Sequence, residues 1–317
     1  MGLPRRHASR NFERNDVINR VFITAVLWCL ANGVLPEAYG QTIIAHRGAS
    51  SDAPENTISA FQLAWEQGAD GIEGDFHLTA DGQIVCFHDA STKRLCGVDT
   101  KIAESTLAEL QKLDVGRWKG RRFAGERMPT LSDVLSTVPQ GKLFYIEIKC
   151  GPEIVPHLVN VLAKSDVNYQ DLRIISFKRD VIKAAKQALP QVQAYWLVEF
   201  KFDKKLDHWY PTHERVIAIA VEHDADGIDL KANKPAYDEA FILRCQQAGL
   251  SLHAWTVDQP EAAIRLAESG YESITTNVPK LLRHATQEQL MPSAKQLESS
   301  LENAPLKPSP TLEPAAK

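Results

Sequence analysis

Histidines, acids, an arginine and a lysine crowd the first half of this chain, each at or near the end of a short apolar run. Ala45-His46-Arg47-Gly48 is followed by Pro54-Glu55-Asn56-Thr57, Glu73-Gly74-Asp75, Phe87-His88-Asp89 and Glu147-Ile148-Lys149. Polar residues drawn from the ends of several strands are how an α/β barrel assembles an active site. The residue types suit metal-assisted chemistry on a phosphate ester: acids for a cation, histidines for protons, and arginine and lysine for phosphate oxygens.

Glu73 and Asp75 lie two residues apart on a predicted strand, so both side chains point to one face. Two such carboxylates repel unless a cation or a proton intervenes. Glu147 ends the next predicted barrel strand in the same sense. Three carboxylates without a cysteine favour a hard divalent cation with oxygen ligands, Ca2+ or Mg2+. Any one of these acids alone reads as a surface salt bridge; the three together point to a metal site. His46 and His88, converging on the same acids, suit a general acid and a general base. Arg47 offers a planar fork and Lys149 a point charge for phosphate, or else they are ion-pair partners of Glu73 and Glu147. Trp255, in His253-Ala254-Trp255-Thr256-Val257, can pack against a glycerol portion of a substrate or simply fill the barrel.

Eight candidate strands position these groups: Thr42–Ala45, Gly71–Phe76, Leu143–Ile148, Leu172–Phe177, Gln193–Val198, Gly227–Leu230, Ser251–Val257 and Ser273–Thr276. Helical patterns separate most of them. Ile58, Phe61, Ala64 and Trp65 share a helical face behind an Asn56 or Thr57 cap. Tyr237, Phe241, Cys245 and Ala248 repeat the pattern up to Gly249, and Asp258 precedes a further helix that ends at Gly270. Strands alternating with helices imply parallel βαβ units, and eight of them predict a (β/α)8 TIM barrel of the α/β class. The competing doubly wound sheet lacks its Gly-rich loop after the first strand.

The run Ile84–Phe87 does not fit the eightfold count. A two-residue turn at Asp81-Gly82 would fold it back on the second strand, setting position 88 opposite position 75 and carrying His88 to the barrel mouth. The long stretch from Ala90 to Pro129, with a helix expected over Thr106–Leu113, predicts a small insertion after strand two, lying over the site.

The N-terminus reads as an export signal. Arg5, Arg6, Arg10, Arg14 and Arg20 precede a mostly apolar stretch from Val21 to Leu35, and Ala38-Tyr39-Gly40 offers a cleavage site. The apolar stretch is shorter than the roughly 20 residues of a membrane span. The expected organisation is a signal peptide at 1–40, a barrel at 41–286 and a disordered tail at 287–317 rich in Pro, Ser, Glu and Ala. The expected location is the periplasm or the exterior, with no stable membrane span once the signal is removed. A net charge of −4 gives no basic surface for nucleic acid. The five cysteines include no C-x-x-C pair, and four of them follow the signal, where disulfides are permitted.

The chain resembles the glycerophosphodiester phosphodiesterase family. The likeness rests on His46-Arg47-Gly48, Pro54-Glu55-Asn56-Thr57, Gly68-Ala69-Asp70, Glu73-Gly74-Asp75, Thr79-Ala80-Asp81-Gly82, Phe87-His88-Asp89, Pro129-Thr130-Leu131, Glu147-Ile148-Lys149 and Trp255-Thr256-Val257. It implies a metal-dependent barrel enzyme that cleaves small glycerophosphodiesters to glycerol 3-phosphate and an alcohol. By that resemblance Glu73, Asp75 and Glu147 hold the metal, His46 and His88 are acid and base, and Arg47 and Lys149 bind phosphate. Two positions depart from the family pattern: Asn277 stands after Thr275-Thr276 where an aspartate is more frequent, and Ile175-Ser176-Phe177 carries one serine rather than two. Competing readings are a phospholipase D-like or lysophospholipase D activity on the same barrel, a non-catalytic binding protein, and a glycosidase using Glu73 and Glu147. The last leaves both histidines, Arg47 and Lys149 without a role.

Overall fold

The computed structural model describes residues 41–290. The expected signal at 1–40 and the tail beyond residue 290 lie outside the described residues. The last helix runs over Pro279–Leu290, four residues past the boundary expected at 286.

Eleven strands are present among the described residues: β1 (Thr42–His46), β2 (Gly71–Leu78), β3 (Ile84–Cys86), β4 (Leu143–Ile148), β5 (Leu172–Ser176), β6 (Gln193–Val198), β7 (Lys201–Asp203), β8 (His208–Tyr210), β9 (Gly227–Lys231), β10 (Ser251–Trp255) and β11 (Ser273–Thr276). Eight of them, β1, β2, β4, β5, β6, β9, β10 and β11, pair in parallel, and β1 closes the ring between β11 and β2. The expected TIM barrel is therefore the fold. Ile43, Ile72, Phe144, Ile146, Ile174, Ala194, Ile228, Leu252 and Ile274 pack outward against the helices. Ile44, Tyr145, Ile175, Tyr195 and Leu197 fill the interior. Burial on both faces explains why the strands read as near-continuous apolar runs.

Strand parity then places the chemistry. His46 shares the inward face of Ile44 and lies beside Glu73, while Asp75 lies beside Glu147 on the neighbouring strand. The chain turns sharply after β1. Arg47 has a φ of 56° and Gly48 one of 78°, and a methyl group on Gly48 would lie 2.5 Å from the Ala60 carbonyl carbon. The glycine of the His-Arg-Gly triplet thus lets the turn lie directly on the helix Ile58–Glu66, whose N-cap is Thr57. Gly48→Ala is expected to cost about 2–4 kcal/mol, from left-handed strain plus overpacking, read as a lowered denaturant midpoint.

The hairpin β2–β3 exists, with a register one residue away from that expected. Leu78 pairs with Ile84 and Phe76 with Cys86, so Asp75 faces Phe87 rather than His88. The loop has three residues, not two. Thr79 Oγ1 accepts from the Gln83 amide at 2.9 Å and donates to Asp81 at 2.6 Å, and Gly82 takes a φ of 74°. His88 still arrives at the mouth, because β3 ends at Cys86 and His77 Nε2 donates to the His88 carbonyl at 3.1 Å.

The insertion is a lobe with its own small core of Val85, Phe87, Leu95, Ile102, Leu110, Val115 and Met128. Its expected helix over Thr106–Leu113 is a single turn, Leu107–Leu110, held by a capping box between Thr106 and Glu109. Asp258 does not cap the helix Pro260–Glu268; its carboxylate accepts from Thr276 and Asn277 at the end of β11. Cys86, Cys96, Cys150 and Cys245 are all free. No described helix is long and apolar enough to cross a membrane.

Candidate active site

Glu73, Asp75 and Glu147 are all buried, and one carboxylate oxygen of each lies within 4.8 Å of the others. Glu73 Oε2 accepts from the Arg47 amide at 2.9 Å, while Glu73 Oε1 and Asp75 Oδ1 have no hydrogen-bond partner. Buried carboxylate oxygens without donors are costly. Their convergence fits a hard divalent cation, with these three residues as its ligands. The repulsion shows in their ionisation. Burial and the charge of Asp75 push Glu147 up to about 7. Burial, Asp75 and Glu147 hold Glu73 well above the usual carboxylate range. Asp75 goes the other way: burial opposes its charge, but Arg47 and Lys149 outweigh it and hold the carboxyl below its ordinary value.

Asp75 is the hub of the site. Arg47 Nε lies 3.1 Å and Lys149 Nζ 3.2 Å from its oxygens, as ionic contacts too bent to be hydrogen bonds. Asn56 Nδ2 donates to Asp75 at 2.8 Å, and Asn56 Oδ1 accepts from the Asp75 amide at 3.1 Å. Asn56 sits at a φ of 60°, a conformation asparagine tolerates. Lys149 also donates to Glu147 at 2.7 Å and Arg47 Nη1 to Glu55 at 2.9 Å. Lys149 therefore makes the ion pair with Glu147 weighed from sequence, whereas the Arg47 guanidinium pairs with Glu55 and Asp75 and not with Glu73 or Glu147; both cations also line the cavity at the mouth.

Each histidine is held by its Nδ1. His46 Nδ1 lies 2.7 Å from Asn277 Oδ1, and Asn277 Nδ2 donates to Asp258 at 2.7 Å. Because the Asn277 amide points its nitrogen at Asp258, its oxygen must accept, so His46 carries its proton on Nδ1 and leaves Nε2 as a free base. Burial, aided by Arg47, pushes His46 down to about 4, so it is neutral near pH 7. His88 Nδ1 lies 2.6 Å from Asp89, whose other oxygen takes Arg94 Nε at 2.6 Å. Arg94 also reaches Glu55, so the lobe is tied to the barrel mouth through the histidine's own support.

Opposite the charged wall, the cavity of about 210 Å³ is lined by Ile175, Phe177, Leu197, Asp229, Trp255 and Thr275. Trp255 meets Phe177 edge-on at 5.4 Å and donates its indole N–H to the Asp229 carbonyl at 3.2 Å. All eight residues singled out from sequence gather here; seven line the cavity, and Asp75 lies fully buried beneath Arg47 and Lys149.

The profile of the glycerophosphoryl diester phosphodiesterase family matches residues 46–281, well over half of the chain. The chain belongs to this family. A glycerophosphodiester phosphodiesterase of Caldanaerobacter subterraneus subsp. tengcongensis is 34% identical over 247 residues, covering 76% of this chain and 95% of that protein. Among solved structures, an Oleispira antarctica phosphodiesterase in complex with the product sn-glycerol-3-phosphate is similar at a TM-score of 0.68. It shares 28% identity over 79% of this chain and 98% of its own. A phosphodiesterase-family structure from Agrobacterium tumefaciens, 23% identical with a TM-score of 0.69, covers 80% of this chain and all of its own and repeats the barrel fold.

Several residues of this family member's site escaped the sequence reading. Glu55 stood within a quoted motif without a role, and Asn56 was weighed only as a helix cap, which Thr57 provides instead; their position on the turn that follows His46 was the available signal. Asn277 was noted only as a departure, and its bond to His46 across 231 residues of sequence had no local signature. Asp229 had none either, since Gly227–Leu230 reads as an ordinary strand with one polar interruption.

Proposed function

We propose that the chain hydrolyses glycerophosphodiesters to sn-glycerol 3-phosphate and an alcohol, outside the cytoplasm, with a divalent cation at Glu73, Asp75 and Glu147. The observation that carries this reading is the convergence at one barrel mouth of three buried carboxylates, two separately anchored histidines and two cations. Family membership and the product complex of the Oleispira enzyme supply the substrate class. A bound Ca2+ or Mg2+ supplies Lewis-acid polarisation of phosphate oxygens. Arg47 and Lys149 bind the phosphate and offset the charge that develops on it. His46 Nε2 takes the proton of the attacking oxygen, the glycerol hydroxyl next to the phosphate or a water. The new P–O bond forms as the bond to the alcohol breaks, and His88 gives its proton to the departing oxygen. If the neighbouring hydroxyl attacks, a cyclic phosphate forms, and water opens it with the two histidines in exchanged roles. Trp255 packs along the organic part of the ester. A cavity of about 210 Å³ lined by charged groups and a few apolar side chains suits a glycerol phosphate.

Activity on glycerophosphocholine is expected to vanish in EDTA and return with added Ca2+ or Mg2+; full activity in EDTA would contradict the metal reading. The cation's affinity carries a pH signature. Glu147, with a value near 7, and Glu73, above its ordinary range, hold protons in the metal-free protein, and a cation must displace them. Affinity therefore rises as pH rises through 7, with proton uptake by the buffer that calorimetry in two buffers of different ionisation enthalpy measures. Glu147→Gln is expected to flatten that slope. Export is tested by sequencing the mature N-terminus, expected at Gln41.

A further inference from the structure

Asp229 is the one acid in the cavity lining to which the reaction described above gives no role. It projects inward from β9, between Leu197 of β6 and His253 of β10. It is completely buried, and neither of its carboxylate oxygens has a hydrogen-bond partner in the protein. Such a group is among the costlier features a fold can retain, so a donor from outside the protein is the natural complement. A metal ion is not that complement, because the converging acids among the described residues are Glu73, Asp75 and Glu147 alone. A quaternary or primary ammonium is disfavoured on this wall. Lys149 Nζ stands 6.0 Å from the Phe177 ring centroid and Lys231 Nζ 6.0 Å from that of Trp255, so the aromatic faces already carry cations. What remains, among the apolar surfaces of Ile175, Leu197 and Trp255, is a neutral donor on a short carbon skeleton, which is a hydroxyl group. With phosphate drawn to Arg47 and Lys149 beside the three acids, the glycerol unit is the part of a glycerophosphodiester that extends toward Asp229.

We propose that Asp229 is the receptor for the distal, free hydroxyl of the glycerol unit, and so the residue that selects glycerophospho esters over esters in which that hydroxyl is missing or acylated. The proposal rests on the phosphodiesterase reading and adds its substrate specificity. A site built to bond a hydroxyl rejects an analogue lacking it far more strongly than an apolar pocket does, because the buried polar group is then left unpaired.

The test compares glycerophosphocholine with its 2-hydroxypropyl analogue, which keeps the hydroxyl beside the phosphate and lacks the distal one, in the full-length wild type, Asp229→Leu and Asp229→Asn. Both variants relieve a buried unpartnered carboxyl, so thermal midpoints at or above wild type are expected and confirm folding. Wild type is expected to favour glycerophosphocholine in kcat/KM by about 100-fold or more. Asp229→Leu should bring the two substrates within about threefold by losing activity on glycerophosphocholine alone, and Asp229→Asn, whose amide oxygen still accepts, should restore part of the preference. A ratio unchanged in Asp229→Leu, equal losses on both substrates, or a wild type that treats both alike overturns the assignment of Asp229 alone. A wild type that cleaves neither overturns the phosphodiesterase reading and this assignment with it.

Discussion

Replacing His46 by alanine is expected to lower kcat on glycerophosphocholine by about 10²–10⁴-fold, with little change in the affinity for the divalent cation. The size follows from the geometry around the ring. Asp258 orients the Asn277 amide, Asn277 fixes the proton on His46 Nδ1, and Nε2 is left as a base that burial keeps unprotonated down to about pH 4. His88, the other histidine lining the cavity, is held through Nδ1 by Asp89 and serves the departing oxygen, so it does not replace His46 as the base. Calorimetric titration with Ca2+ or Mg2+ separates lost proton transfer from a lost metal site. An anionic partner offers a complementary check. Asn277→Asp should favour the protonated imidazole, moving the acid limb of the pH–rate profile to higher pH while the enzyme still turns over near neutrality. A His46→Ala variant with near-normal kcat would remove His46 from the chemistry.

Asp75→Ala is expected to destabilise the protein by about 3–5 kcal/mol, a large share of the stability of an ordinary domain. The carboxylate is completely buried and neutralises two cations at once, Arg47 at 3.1 Å and Lys149 at 3.2 Å, while bracing Asn56 through two hydrogen bonds. Its removal leaves two positive groups facing an emptied, poorly solvated position, and Arg47 and Lys149 are both expected to leave the phosphate position. Glu73→Gln should act in the opposite direction on the metal-free protein, because it removes a carboxylate that burial and its neighbours already force toward the neutral form. Denaturant midpoints of the two variants in EDTA read these opposite signs. Equal destabilisation by both would mean that the three acids are interchangeable salt-bridge partners and not an ion-paired hub beside a cation site.

The barrel was legible because its strands are buried on both faces and stand out as apolar runs between amphipathic stretches. The limits expected for β4, β6 and β11 are those observed. The principal site residues were legible because alternation fixes which side chains share the inward face and because the acids and histidines end those runs. The hairpin register slipped by one residue because Asp-Gly signals a turn without revealing that Thr79 would close a three-residue loop through its own side chain. Asp258, which the sequence sets just ahead of a helix, does not cap that helix for a related reason. A carboxylate before a helix serves either end of its reach, and here three donors at the end of β11 claim it. Asn277 and Asp229 lay beyond sequence reasoning. One works through a partner at the far end of the chain, and the other is defined by the hydrogen bonds it lacks.

Phosphorus NMR of glycerophosphocholine incubated with the full-length protein and Ca2+ or Mg2+ is the most direct test of the central assignment, since it reports which P–O bond breaks. The predicted result is the sn-glycerol 3-phosphate resonance, together with free choline, absent in EDTA and absent with His46→Ala. Appearance of phosphocholine instead, or an unchanged diester with every cation from a folded protein, would contradict it.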